Sequence, residues 1–278
     1  MITAWTERAN TAMRLTVGRR DGSLRPTVTL PDHQFKQTHT QGNLMTVINE
    51  KDRIAYFSIP KVACSSQKRL HHEIIHGAPF EATRSNENDR LHAVYKSEKF
   101  DRKAFTKLND YWTYTMVRDP VKRILSAYSQ KIVQKNEQLA ETGTVLRPIE
   151  KLIEAGLNPY PSINEFCEDL SLYFKKSFMI KHHVRHYKFY IGNQLERFNR
   201  VYKIEETAQL EADLTERLGR KVQLPYANQS SNKQFMDDLT QKSLDLLIEF
   251  AQPDYELLDG LYTPPSLASF QKKKSVVA

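Results

Sequence analysis

The segment Ile54–Leu70, IAYFSIPKVACSSQKRL, constrains the fold more than any other part of this chain. An apolar, strand-like run ends at Pro60 and Lys61, small residues turn the chain, and a helical pattern opens with Ser65 and Ser66 at its mouth. That order builds an anion site. Free backbone N–H groups at the helix start point at one spot, and the helix dipole favours negative charge there. Lys61 adds a mobile positive charge, and either serine can cap the helix or donate to an oxyanion. An ordinary strand–turn–helix with a solvated lysine has the same local pattern.

A second segment repeats the design. Tyr114–Tyr128, YTMVRDPVKRILSAY, reads as strand, proline, helix. Pro120 suits the first helical turn, where its missing N–H costs nothing, and Asp119 can serve as the N-cap. Arg118 falls at the carboxyl end of the strand, and Ser126 lies two turns into the helix on a face that can approach it. An arginine fork plus a hydroxyl suits a dianionic phosphate. A buried arginine–aspartate pair with a surface serine is the alternative. Arg123, a third cation on this helix, is assigned a solvated or packing role.

Between and around these motifs the pattern alternates. Strands are expected at 53–58, 112–117 and 200–204, and helices at 65–76, 120–135, 162–176, 206–218 and 237–251. Repeated strand-then-helix order predicts an α/β fold, a parallel sheet flanked by helices on both faces. Residues 1–50 read as an N-terminal extension with short strands near Val28 and Met45–Ile48, residues 51–264 as the main domain, and 265–278 as a flexible basic tail. Residues 77–100 and 136–161 read as loops or irregular helix.

The 278 residues suit one large domain with extensions. No run approaches the roughly 20 apolar residues of a membrane span, so no integral membrane segment is expected. The first residues lack the basic-then-apolar order of a secretory signal. Two cysteines, Cys64 and Cys167, are too few for a disulfide framework. Together these features point to a reducing, cytoplasmic setting, unless the chain is a trimmed piece of a longer one. The net charge of +8 indicates an anionic ligand. Basic residues are mixed with acids along the chain and no nucleic-acid motif appears, so no nucleic-acid partner is expected.

The two motifs resemble those of the carbohydrate sulfotransferases, the group that includes the chondroitin 4-O- and HNK-1 sulfotransferases. Pro60-Lys61-Val62-Ala63-Cys64-Ser65-Ser66, followed after one residue by Lys68-Arg69, is similar to that family's 5′-phosphosulfate loop. Val117-Arg118-Asp119-Pro120 with Arg123 and Ser126-Ala127-Tyr128 is similar to its 3′-phosphate motif. They occur in family order, 57 residues apart from Lys61 to Arg118. The resemblance implies a P-loop-NTPase-like fold with 3′-phosphoadenosine 5′-phosphosulfate (PAPS) as sulfate donor. Lys61 to Ser66 would then hold the phosphosulfate, and Arg118 and Ser126 the 3′-phosphate. The nucleotide loop G-x-x-x-x-G-K-[ST] is absent, since no glycine lies between Asn43 and Gly77, which argues against a kinase.

Sulfuryl transfer to a hydroxyl needs a cation at the leaving oxygen and a base for the acceptor proton. Lys61 fits the first role. Among nine histidines, His92 in Arg90-Leu91-His92-Ala93-Val94-Tyr95 fits the second, because the family's proposed base occupies the corresponding place. A structural, hydrogen-bonded histidine is the alternative. His71, His72 and His76 are expected to pack or face solvent. His182, His183 and Arg185 read as a basic rim for an acidic acceptor, and no metal site is expected. Fainter resemblances at Arg200–Glu205, Leu224–Ser231 and Pro253–Leu258 extend the likeness over about 53–260. The expected function is O-sulfation of a sugar or polysaccharide hydroxyl. A lipid, small-alcohol or tyrosine acceptor, or a non-catalytic anion binder of the same fold, remains open, as does the oligomeric state.

Overall fold

The computed structural model describes residues 46–81, 87–134, 149–225 and 236–270. The expected strand near Val28 and the basic run Lys272–Lys274 lie outside them. Four strands form one sheet in the order β1-β2-β3-β4: β1 is Thr46–Asn49, β2 Ile54–Phe57, β3 Trp112–Val117 and β4 Arg200–Lys203. The three expected strands pair in parallel, with Tyr56 beside Tyr114 and Met116 beside Tyr202. The short strand near residue 46 joins the edge antiparallel, opposite β2.

Every residue of β2 and β3 is buried, as strands covered on both faces must be. Alternation then sorts their side chains. Ile54, Tyr56, Tyr114 and Met116 pack on one face with Leu70, Leu210 and Leu214. Ala55, Phe57 and Val117 pack on the other with Phe105, Tyr187 and Tyr190. The first face is covered by α1 (Cys64–His76) and α10 (Thr207–Leu218). The second is covered by α3 (Arg102–Phe105) and α9 (Tyr187–Ile191). Leu210 and Leu214 are fully buried, and each contributes roughly 1.5–3 kcal/mol to the docking of α10. This is the expected α/β architecture with helices on both faces.

A third cluster joins α4 (Pro120–Tyr128), α6 (Ile163–Glu168), α7 (Leu170–Lys176), α8 (Phe178–Val184) and α11 (Gln241–Leu257) through Ile124, Phe166, Tyr173, Ile180 and Leu247. Several elements differ from the sequence expectation. The helix expected over 162–176 is broken at Asp169, which leaves helical geometry (φ −101, ψ 12), ends α6 and starts α7. The last helix runs on to Leu257 through Pro253, because Asp254 and Tyr255 beyond it are buried against α4 and hold the turn in place. Residues 77–100 contain α2 (Glu87–Val94), and α5 (Ile149–Glu154) falls in the stretch expected to be irregular.

The Lys61 loop and its candidate active site

Between β2 and α1 the chain turns on left-handed residues that are not glycine: Lys61 has φ 71 and Ala63 φ 58. Such conformations cost of order 1–3 kcal/mol each for a residue bearing Cβ and persist where the surroundings enforce them, commonly at functional sites. Val62, between them, is fully buried and pins the loop. Ala63 is the N-cap of α1 and no side chain caps the helix; no acidic residue lies in its first turn. The expectation that Ser65 or Ser66 caps the helix is therefore not met. The amides of Cys64, Ser65 and Ser66 open the helix without a side-chain acceptor, an arrangement that suits an external anion.

Lys61 donates from Nζ to Gln130 Oε1 at 2.8 Å. Gln130 sits in a π-helical turn, Ser129–Val133, that continues α4 and also carries Lys131. Widened turns of this kind re-aim side chains and recur at functional sites. Burial, then the cations Lys131 and Arg118, pull the Lys61 ammonium down to about 8, against an opposing pull from Cys64. Lys61, Lys131 and Arg118 thus share one electrostatic environment.

Arg118 stands at the end of β3, half-buried. Its backbone is clamped by Tyr187, whose hydroxyl donates to the Arg118 carbonyl at 2.7 Å and accepts from the Arg118 N–H at 3.0 Å. Burial lowers the Arg118 guanidinium below its ordinary value, with Tyr187 and Glu205 opposing. Asp119 caps α4 as expected, accepting from Lys122 N at 2.8 Å, with Pro120 in the first turn. Ser126 is half-buried two turns along α4.

His92 lies on α2 and is joined to the loop. Its Nε2 is 2.9 Å from Ser65 Oγ, and its Nδ1 is 2.9 Å from Lys68 Nζ. Burial first, then Lys68, Lys131, His182 and Arg69, lower His92 to about 3, so the imidazole is neutral near pH 7. The basic rim comes to the same place. His182 is pulled to about 4 by burial, Lys68, Arg185 and Lys131, and His183 is lowered by burial and Lys131, with Lys61 also acting on it. Its segment is held from behind by Arg123, which is fully buried and packs rather than meeting solvent. Arg123 donates to the carbonyls of His183 (3.2 Å) and Arg185 (2.6 Å) and pairs with Asp254 at 3.2 Å. Among the described residues, no three of His, Cys, Asp and Glu converge as metal ligands.

Hydrogen bonds thus join Ser65, His92 and Lys68, and Lys61, His92, His182 and His183 all feel one set of cations that includes Lys131. His71 packs, fully buried, with Nε2 2.6 Å from the Tyr114 hydroxyl. Lys68 and Gln130 are participants to which the sequence reading gave no role. Nothing marks a glutamine beyond a helix end, whereas Lys68 falls within the loop motif and lies three residues after Ser65, on the same face of α1.

The candidate site thus combines a glycine-free loop at the end of a central strand, an arginine at the end of the next strand and a neutral histidine on α2. The chain matches the sulfotransferase family over residues 45–262 and belongs to it. It is 31% identical over 107 residues to human carbohydrate sulfotransferase 9, a stretch covering 37% of this chain and 24% of that protein. Mouse carbohydrate sulfotransferase 14 is 28% identical over 116 residues, covering 42% of this chain and 30% of that protein. A Danio rerio carbohydrate sulfotransferase 14 is 33% identical over 86 residues, covering 31% and 23%. The matched stretches thus span less than a third of these relatives' own length.

Proposed function

We propose that this chain is an O-sulfotransferase that uses PAPS as donor and a carbohydrate hydroxyl as acceptor. The observation that carries the reading is the joining of the uncapped start of α1 to His92 through Ser65, beside Lys61. The residues present fit the donor: strained Lys61 and Ala63 open a loop without a side-chain cap, and the half-buried cations Lys61 and Arg118 are held below their ordinary basicity. When bound, PAPS supplies the sulfuryl group and departs as 3′-phosphoadenosine 5′-phosphate (PAP).

The backbone of Val62, Ala63, Cys64, Ser65 and Ser66 would hold the phosphosulfate, and Arg118 with Ser126 the 3′-phosphate. Lys61 would neutralise the negative charge that develops on the leaving phosphate oxygen, a form of electrostatic stabilisation by a group already held in place. His92 takes the acceptor's hydroxyl proton at Nε2. Burial holds His92 low, with nearby cations adding to it; negative charge in the loop would offset the cations' share, so its basicity would rise when the donor site is filled. His182, His183 and Arg185 form the acceptor side, supported by the electrostatic contact of both histidines with Lys131 and by the Arg123 anchor. The sugar acceptor is the class acted on by the carbohydrate sulfotransferases that the chain resembles in sequence.

The test is transfer of radiolabelled sulfate from PAPS to a panel of unsulfated polysaccharides that includes chondroitin. Label in a polysaccharide, lost in Lys61→Ala, is expected. Absence of PAP formation with every hydroxyl acceptor tried, in a folded protein, contradicts the reading.

A further inference from the structure

Lys68 is a fully buried lysine with no role in the scheme above. Its ammonium lies 2.9 Å from His92 Nδ1 and 3.1 Å from Ser97 Oγ, and Ser97 Oγ is in turn 2.8 Å from Ser58 Oγ, just past β2. Ser65 Oγ occupies the other ring nitrogen of His92. The hydrogen bonds run as one chain from Lys68 through the imidazole to the anion loop. A chain of this kind has two directions. If Lys68 is an ammonium it can only donate, so Nδ1 must accept and the ring proton sits on Nε2, directed at Ser65. A ring in that state cannot take a proton at Nε2.

We propose that Lys68 is the positioning residue that sets which nitrogen of His92 carries the proton: as a neutral amine it accepts from Nδ1–H and frees the Nε2 lone pair beside Ser65. This rests on the reading of His92 as the base. The groups facing the pair are Lys131 on the π-helical turn, His182 on α8, and Arg69 and Cys64 on α1. Lys68 is pulled down to about 8 by burial, with Cys64 opposing. The amine form is then present in about one molecule in ten at pH 7 and about half at pH 8.

The proton balance closes. The acceptor O–H bond breaks as Nε2–H forms, and the hydroxyl oxygen bonds to sulfur as the bond from sulfur to the phosphate oxygen of the leaving PAP breaks. The Nδ1 proton passes to Nζ, leaving neutral His92 protonated at Nε2 and Lys68 as ammonium. The Nε2 proton then leaves for solvent as the ammonium returns a proton to Nδ1, which restores the neutral amine and the Nδ1–H imidazole.

The experiment is nitrogen NMR of the full chain labelled with 15N-histidine, with His92 assigned by its loss in His92→Asn. Between pH 7 and 9.5 His92 should change from the Nε2–H to the Nδ1–H tautomer, and in Lys68→Met it should not. Free histidine favours Nε2–H, so an Nδ1–H form at high pH is diagnostic. Lys68→Gln serves if the methionine variant does not fold, and the wild-type titration decides if neither does. A tautomer indifferent to pH in the wild type, or a switch that persists in a folded Lys68 variant, overturns the proposal. In kinetics, the acid limb of kcat should move at least tenfold in proton concentration in Lys68→Met, with KM for PAPS changing less than kcat. His92→Asn at the wild-type transfer rate would refute the base and not the tautomer switch, so the two failures are distinguishable.

Discussion

The hydroxyl of Ser65 lies 2.9 Å from Nε2 of His92, so the loop proposed to hold the donor and the candidate base share a hydrogen bond. The acceptor hydroxyl must enter beside this contact to reach the sulfuryl group. Replacing His92 by Asn should therefore lower kcat by about 10²–10⁴-fold, the usual range for loss of a general base. Affinity for PAP should stay within a few-fold of wild type. Steady-state kinetics with calorimetric PAP binding check this, and a wild-type kcat would remove His92 from the mechanism.

Donor affinity should depend on pH through Lys61. Burial, Lys131 and Arg118 hold Lys61 at about 8, against an ordinary 10.5. Below pH 8 the free protein already carries the charge. Above it the free protein loses the charge, and binding an anion must restore it by taking up a proton. PAP affinity should thus weaken above about pH 8, by up to about tenfold per unit. Calorimetry in buffers of different ionisation enthalpy counts the proton. Lys61→Met should flatten the profile to the share left by Lys68, and a flat wild-type profile contradicts the assignment.

Stability should hinge on Arg123 and Asp254, which pair at 3.2 Å with side chains 0% and 2% exposed. Asp254 also accepts from the Tyr187 N–H at 2.7 Å. Asp254→Ala strands the guanidinium in the core and should cost about 3–5 kcal/mol in denaturant unfolding. The double change Arg123→Met, Asp254→Leu should recover part of that loss while leaving His183 and Arg185 poorly held, read as a raised KM for the acceptor.

Acid should unfold the protein through its buried histidines. Burial lowers His71 to about 3. Its folded value lies below the unfolded 6.5, so its contribution is complete above pH 6.5 and is lost as pH falls toward 3. The slope is at most about 1.4 kcal/mol per pH unit for each such histidine. His92 contributes in the same direction. Denaturant midpoints between pH 7 and 4 should fall, and His71→Gln should show a shallower fall. An unchanged slope would place the linkage elsewhere.

The two loops were legible in the sequence because each has a strand run, a stop and a helix opening that obey local rules: Pro120 and Asp119 mark α4 without reference to anything distant. What local rules could not read was set by partners far along the chain. Arg123 could be solvated or packed, and the choice is made by Asp254, 131 residues away. His182, His183 and Arg185 read as a basic rim, yet their segment forms α8 and runs into α9 because Ile180, Val184, Tyr187 and Tyr190 are buried. Lys68 carried no role of its own in the sequence because burial of a lysine depends on Ser97 and His92, which lie 29 and 24 residues away and arrive only on folding.

Calorimetric comparison of PAP, AMP and ATP on the wild type and Arg118→Ala tests the proposed site most directly. PAP should bind with one site per chain and far more tightly than AMP. Arg118→Ala should weaken PAP about tenfold to a hundredfold, the worth of charge-assisted hydrogen bonds to phosphate, while leaving AMP unchanged. PAP binding no tighter than AMP, or unaffected by Arg118→Ala in a folded protein, would contradict the two-phosphate cradle.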